Sequence, residues 1–221
     1  MKQSIQPVSV AALKKIKSED ESLVVLDCRN AGAFTDGFVP GSLFIGRDGN
    51  FVEWALDLLS PSARIILIAE AGKEAESINL LAGAGFTDIA GFLEGGFDAW
   101  KAAGEEIDMI INIDAAEMAM DIPFDENLVV LDVRRAVEYA EGHVENAVNI
   151  PLSDLSDPGN LVQLEERDNL YIHCARGYRS VIAASILKQQ GYNNLRNISG
   201  GWEFIRHTKG IKIVKETSAL N

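Results

Sequence analysis

An α/β architecture of two tandem units is the fold class that this 221-residue sequence predicts, and three observations carry it. Apolar strand-like runs alternate with helical patterns along the chain, as expected for mostly parallel sheets with helices on both faces. The runs themselves, such as Leu23 to Leu26, are apolar at every position, as in strands buried on both sides. The chain also repeats itself: Ser22-Leu-Val-Val-Leu-Asp-Cys-Arg29 returns as Asn127-Leu-Val-Val-Leu-Asp-Val-Arg134, 105 residues later. At the same offset Asp36-Gly-Phe-Val-Pro-Gly-Ser-Leu-Phe-Ile45 returns as Glu141-Gly-His-Val-Glu-Asn-Ala-Val-Asn-Ile150, and Gly95-Gly96 as Gly200-Gly201. So long a period suits a duplicated domain, with units expected at 1–106 and 107–221.

Taken in order, Ser9 is a candidate N-cap for an amphipathic helix through Leu13 and Ile16. Leu23 to Leu26 is the first strand, with Asp27 and Arg29 at its C-terminal end. A short helix is expected over Ala33 to Phe38 and a second strand over Ser42 to Ile45. Phe51 to Leu59 reads as a helix stopped by Ser60-Pro61. Ile65 to Ala69 is a third strand, Lys73 to Ala84 a helix closed by Gly85, and Ile89 to Phe92 a short strand. Phe97 to Ala103 forms the last helix, after Gly95-Gly96. Gly104 to Asp108 is a short linker, and Asp114 caps the opening helix of the second unit. Its strands are expected at Leu128 to Leu131, Ala147 to Ile150, Leu170 to Ile172 and Leu195 to Ile198.

Composition sets the broad class. Hydrophobic residues make up 47% and charged residues 24%, which fits a globular protein. The net charge of −13 argues against nucleic acid or an anionic membrane as the main partner. Two cysteines, Cys28 and Cys174, cannot form a disulfide framework, so a reducing cytoplasm is expected. The N-terminal residues lack the apolar core of a signal peptide, and no apolar run is long enough to span a bilayer.

The stretch from Leu170 to Leu187 carries the chemistry. A buried strand breaks at His173-Cys174 into the loop Cys174-Ala175-Arg176-Gly177-Tyr178-Arg179, and Ser180 is expected to cap a helix through Ile182, Ile186 and Leu187. A thiol in a turn at a helix N-terminus faces unpaired N–H groups and the positive end of the helix dipole. Arg176 and Arg179 add positive charge, and such surroundings favour the reactive thiolate. Placing Ile68 on Ile172 sets Glu70 at the position of Cys174, so the first unit is expected to be silent as a nucleophile. Cys28, where the second unit has Val133, reads as a small apolar filler, with a resolving thiol as the alternative.

These residues resemble the rhodanese family of sulfurtransferases over essentially the whole chain, as two tandem modules. Leu131-Asp-Val-Arg134, Glu141-Gly-His143, Ala147-Val-Asn-Ile-Pro151, Cys174-x-x-Gly-x-Arg179 and Gly200-Gly-Trp202 stand in the family's order. Asn146 departs from it, where the family often has glycine. The resemblance implies that Cys174 is the nucleophile and carries a persulfide, and that the backbone of Ala175, Arg176, Gly177, Tyr178, Arg179 and Ser180 stabilises its charge. It further implies that Arg176 and Arg179 attract and orient an anionic donor, with Asp132, Arg134 and His143 as supports. His173 reads as a strand-end filler, and Trp202 and Phe204 as residues packed beside the loop. The six-residue loop fits a persulfide better than the seven-residue Cys-x5-Arg loop of the related phosphatases and arsenate reductases fits one. No cofactor and no metal are implied, the three histidines, His143, His173 and His207, being scattered.

Expected partners are a small-molecule sulfur donor, such as thiosulfate or a low-molecular-weight persulfide, and a thiol or cyanide-like acceptor. A silent module followed by an active one is similar to the rhodanese pair of metallo-β-lactamase-like persulfide dioxygenase fusions, so a dioxygenase partner or fused domain is a further expectation. An alternative from another class is a binding or scaffolding module in which the silent unit docks a partner.

Overall fold

The structure, a computed structural model, describes residues 6–216. The chain divides into two compact units between Met109 and Ile110. In the first, β1 (Pro7–Val8), α1 (Val10–Glu19), β2 (Val24–Asp27), α2 (Ala31–Thr35), β3 (Leu43–Phe44), α3 (Phe51–Leu58), β4 (Arg64–Ile68), α4 (Glu74–Gly83), β5 (Asp88–Leu93) and α5 (Gly96–Ala102) follow in order. All pairs are parallel and the strand order is β1-β5-β4-β2-β3. Ile65, Ile66, Leu67 and Ile68 are fully buried, as an all-apolar central strand must be. Each contributes on the order of 2 kcal/mol by leaving water. Leu13 of α1, Val25 of β2, Ile66 and Ile68 of β4 and Phe97 and Trp100 of α5 join in one core.

The second unit repeats the plan. Its elements are β6 (Ile111–Ile113), α6 (Ala115–Asp121), β7 (Leu128–Asp132), α7 (Ala136–Ala140), β8 (His143–Val144), β9 (Val148–Asn149), β10 (Asn169–His173), α8 (Tyr178–Gln189), β11 (Leu195–Ile198), α9 (Trp202–Ile205) and β12 (Ile213–Val214). The main sheet runs β6-β11-β10-β7-β9, all parallel, and β12 pairs antiparallel with β8. Between β9 and β10 the chain makes two 3-10 turns, Leu152–Asp154 and Pro158–Leu161. Ser9 and Asp114 cap α1 and α6 as their sequence positions suggest: Ser9 Oγ accepts from Ala12 N, and Asp114 accepts from Ala116 N and Glu117 N. Asn146 stands at φ 63°, in the left-handed region that Gly41 occupies 105 residues earlier at φ 78°. Asparagine is among the few side chains that tolerate this conformation, so the turn survives the loss of glycine.

Two sequence expectations need correction. Ser180 does not cap α8; the helix starts at Tyr178, and Gly177, at φ 106°, is the residue before it. The glycine makes the turn the loop needs, and Ser180 sits in the first turn with its hydroxyl oxygen 3.0 Å from Gly177 O. The second correction concerns Glu70. Strand pairing sets Ile68 opposite Asp27 and His173 opposite Asp132, so Ile68 matches His173, not Ile172. The position of Cys174 is therefore held by buried Ala69, and Glu70 falls at Ala175. The slip arises because the loop before α4 is one residue longer than the loop before α8.

Candidate active site

The site grows from the C-terminal ends of β7 and β10, where a parallel α/β sheet gathers its functional groups. Asp132 ends β7, His173 ends β10, and Cys174 opens the loop to α8. Cys174 is 1% exposed, and its Sγ accepts the Gly177 N–H at 3.1 Å. The first two carbonyls of the loop are drawn the other way. Trp202 N donates to Cys174 O at 2.7 Å and Glu203 N donates to Ala175 O at 3.2 Å. With these carbonyls held by the start of α9, loop N–H groups are left for the sulfur. Gly201 makes that contact possible: at φ 56°, a Cβ there would come within 2.4 Å of Cys174 O.

Behind the loop lies a buried ion pair. Asp132 Oδ1 accepts from Arg134 N and Nε at 3.0 and 2.9 Å, and Asp132 Oδ2 accepts from Arg134 Nη2 at 2.5 Å. Arg134 Nη2 also donates to Gly142 O, and its guanidinium lies 4.3 Å from the Trp202 ring centre. The first unit has the same unit of structure: Arg29 holds Asp27, reaches Gly37 O, and lies over Phe97 at 4.3 Å. His143 is buried and stacks on Tyr139 at 3.6 Å, as Phe38 stacks on Phe34 at 4.2 Å. Aspartate, arginine and stacked ring therefore occur with and without a thiol, which marks them as the frame of the fold.

His173 is fully buried. Its Nδ1 lies 3.3 Å from Cys174 O, which can only accept, so Nδ1 carries the proton. Burial holds the imidazole pKa below its ordinary value, and the ring is neutral near pH 7 although Asp132 Oδ2 is 3.6 Å from Nε2. Trp202 stacks near His173, with ring centres 6.2 Å apart, while Phe204 is 62% exposed.

The two loop arginines separate. Arg179 is locked in a bidentate pair, Nη1 and Nη2 each 2.8 Å from a Glu138 oxygen, a partner 41 residues away that the loop sequence does not reveal. Arg176 is 83% exposed at its side chain and meets Glu203 only at 3.3 Å, a surface contact worth at most about 1 kcal/mol. The pair with Arg179 pulls the Glu138 carboxyl down to about 2. Because the folded value lies below the unfolded one, the pair's stabilisation is complete above about pH 4.5 and is lost as pH falls toward 2. Glu138→Gln should lower stability at pH 7 by about 1–2 kcal/mol and flatten the acid limb between those values, as read by urea unfolding across pH. An acid limb as steep as the parent's would show that other carboxylates set it.

In the first unit the counterpart loop lacks this chemistry. Ala69 replaces the thiol, and Glu70 Oε1 accepts from Asn30 N and Nδ2 at 3.3 and 3.0 Å. Cys28 is 2% exposed, with Sγ 3.5 Å from Ser77 Oγ, and burial pushes its thiol up to about 12. Such a thiol stays protonated and unreactive. Among the described residues no group of three or more His, Cys, Asp or Glu side chains is placed to hold a metal ion, and no helix is long and apolar enough to cross a membrane.

The fold and the loop define a class: parallel α/β domains that carry a cysteine on the turn between a central strand and the following helix. Rhodanese-like domains match at residues 9–103 and 115–207, and the chain belongs to that family as a tandem pair. It is similar to YrkF of Bacillus subtilis (strain 168), 37% identical over 91 residues, covering 41% of this chain and 47% of that one. A sulfurtransferase of Allochromatium vinosum is 28% identical over 93 residues, covering 42% of this chain and 85% of the relative. The match to YrkF thus spans about half of that relative's length. Among solved structures, a thiosulfate sulfurtransferase from Pseudomonas aeruginosa covers 96% of this chain and 44% of its own at 18% identity, with a TM-score of 0.43.

Proposed function

We propose that the chain is a single-site, rhodanese-type sulfurtransferase in which Cys174 takes a sulfane sulfur from a donor and passes it to a nucleophilic acceptor. The observation that supports this most is the setting of Cys174: a buried sulfur at the start of a helix, accepting the Gly177 N–H while the neighbouring carbonyls are tied to α9. The name borne by the Allochromatium vinosum relative points the same way. The thiolate attacks the outer sulfur of the donor, the bond to the donor's remaining group breaks, and that group leaves with the electron pair. The acceptor then attacks the terminal sulfur of the persulfide, and Cys174 leaves as thiolate, so two-electron bookkeeping closes in each half.

The roles divide among the loop residues. Backbone N–H groups of Ala175 to Ser180 stabilise the thiolate and the persulfide. Arg176, exposed and weakly held, recruits an anionic donor such as thiosulfate or a low-molecular-weight persulfide. Arg179 shapes the loop through Glu138 and does not bind the donor directly. The first unit, residues 1–109, is the silent partner of the second, and a reducing, cytoplasmic setting suits the two free cysteines. A thiol or cyanide-like molecule serves as acceptor, and a persulfide dioxygenase is a fitting consumer of the product.

Steady-state kinetics with thiosulfate or glutathione persulfide as donor and a thiol as acceptor test the reading. Parallel double-reciprocal lines are expected, the mark of a ping-pong reaction through a covalent intermediate. Lines that intersect would require donor and acceptor to be bound together and would exclude the stable persulfide.

A further inference from the structure

Cys174 also begins a chain of side-chain hydrogen bonds that the sulfur-transfer scheme leaves unused. Its Sγ lies 3.7 Å from Ser180 Oγ, Ser180 Oγ donates to Asn197 Oδ1 at 2.6 Å, and Asn197 Nδ2 donates to Asn112 Oδ1 at 2.8 Å. The line passes from α8 to β11 and on to the edge strand β6, where Asn197 and Asn112 are paired across the sheet. Asn197 is 4% exposed, with Ile172 and Asn112 as its partners on the adjacent strands. A buried amide is costly unless both of its ends are used. At the same sheet positions the first unit has Ala69, Phe92 and Pro7, with Pro7 and Phe92 paired in the same register. The unit with the loop thiol has the two asparagines on its strands; the unit without it has apolar Phe92 and Pro7 there, and Glu76, paired with Arg47, at the helix position of Ser180.

We propose that Asn197 and Asn112 form a hydrogen-bond switch that acts through Ser180 and follows the charge on Cys174; the proposal rests on Cys174 being the nucleophile. While the thiol is protonated, S–H donates to Ser180 Oγ and the hydroxyl donates to Asn197 Oδ1. When the thiol proton leaves to water, the sulfur becomes an acceptor and the Ser180 O–H turns toward it. Asn197 then rotates its amide by half a turn, so that Nδ2–H donates to Ser180 Oγ, and Asn112 rotates to donate to Asn197 Oδ1. The oxygen and nitrogen of an amide are nearly equal in size, so the rotation leaves the packing unchanged. The same side chains stay linked in both states, and donors in line reinforce one another. In the persulfide the charge moves to the outer sulfur, and Sγ, which has no proton to give, remains an acceptor for the Ser180 O–H. Without Asn197, the hydroxyl falls back on Gly177 O, 3.0 Å away, and is withdrawn from the sulfur. The charged and titratable groups that flank Cys174 are His173, the Asp132–Arg134 pair, Arg179 with Glu138, and Arg176 with Glu203. None of these is altered by substitution at Asn197 or Asn112.

Alkylation of Cys174 by iodoacetamide, followed against pH, reads the thiolate without any sulfur donor; Cys28 stays silent because burial holds its thiol at about 12. Ser180→Ala and Asn197→Leu are each expected to slow alkylation at pH 7 by about threefold or more, the effect of one lost donor to a charged sulfur. The double variant should be no slower than Ser180→Ala alone, because Asn197 works through the hydroxyl. Asn197→Asp, which can accept but not donate, should be slower than Asn197→Leu, and Asn112→Ala at the exposed edge should slow the reaction by about twofold. An Asn197→Leu profile equal to the parent's, or additive losses in the double variant, would overturn the switch. If Asn197→Leu fails to fold, an unchanged profile in Asn112→Ala overturns it equally. Failure of the sulfur-transfer reading would look different: Cys174 would alkylate with the parent's profile yet acquire no sulfur from thiosulfate or glutathione persulfide.

Discussion

Cys174→Ser should reduce sulfur transfer by at least about a thousandfold, because the hydroxyl that replaces the thiol cannot hold a sulfane sulfur. The loss should fall on the maximal rate with any donor, since the missing group forms the covalent bond. Serine keeps the shape of the turn and can still accept the Gly177 N–H, so the fold should survive. Cys28→Ser is the matched control. That thiol is buried beside Ser77, away from any loop of the reactive kind, and its replacement should leave turnover within about twofold. Turnover that survived in Cys174→Ser and vanished in Cys28→Ser would move the chemistry to the first unit and overturn the assignment.

The second large effect concerns stability. Asp132→Ala leaves Arg134, 3% exposed, as an unpaired buried cation and should destabilise its unit by about 3–5 kcal/mol. Asp27→Ala should do the same to the first unit, because Arg29 is held in the same way. Thermal unfolding of both variants checks this. The comparison also separates frame from chemistry: a shared loss of stability fits a structural carboxylate in each unit. A stable Asp132→Ala protein without activity would make Asp132 a group of the reaction.

Much of this was legible in the chain because the repeat carries its own register. Asp27 and Asp132, Gly95-Gly96 and Gly200-Gly201 fix the two units against each other, and the all-apolar runs locate the central strands. The reading failed where local signals were absent. β1 and β6 are short edge strands containing Pro7 and Asn112; β1 has two residues, and Asn112 interrupts the apolar stretch from Met109 to Ile113. Aligning the helices α4 and α8 sets Glu70 at the place of Cys174, because the loop before α4 is one residue longer; the 105-residue offset of the flanking landmarks and the strand pairing both set Ala69 there. Ser180 has the chemistry of a cap, yet Gly177 makes the turn, since the loop requires a positive φ. The lock of Arg179 on Glu138 and the bonds from Ser180 to Asn197 and from Asn197 to Asn112 join residues 41, 17 and 85 positions apart, and no local pattern foretells them. The apolar Phe92 and Pro7 were visible in the first unit, but their meaning depends on knowing what Asn197 and Asn112 do.

The most direct test of the account is the intact mass of the chain after incubation with thiosulfate or glutathione persulfide and removal of excess donor. A gain of about 32 Da, one sulfur atom, is expected, released by a thiol acceptor and absent from Cys174→Ser. Fragmentation should place the added sulfur on the peptide that contains Cys174. An unchanged mass with both donors, or an adduct on Cys28, would contradict a persulfide carried by Cys174.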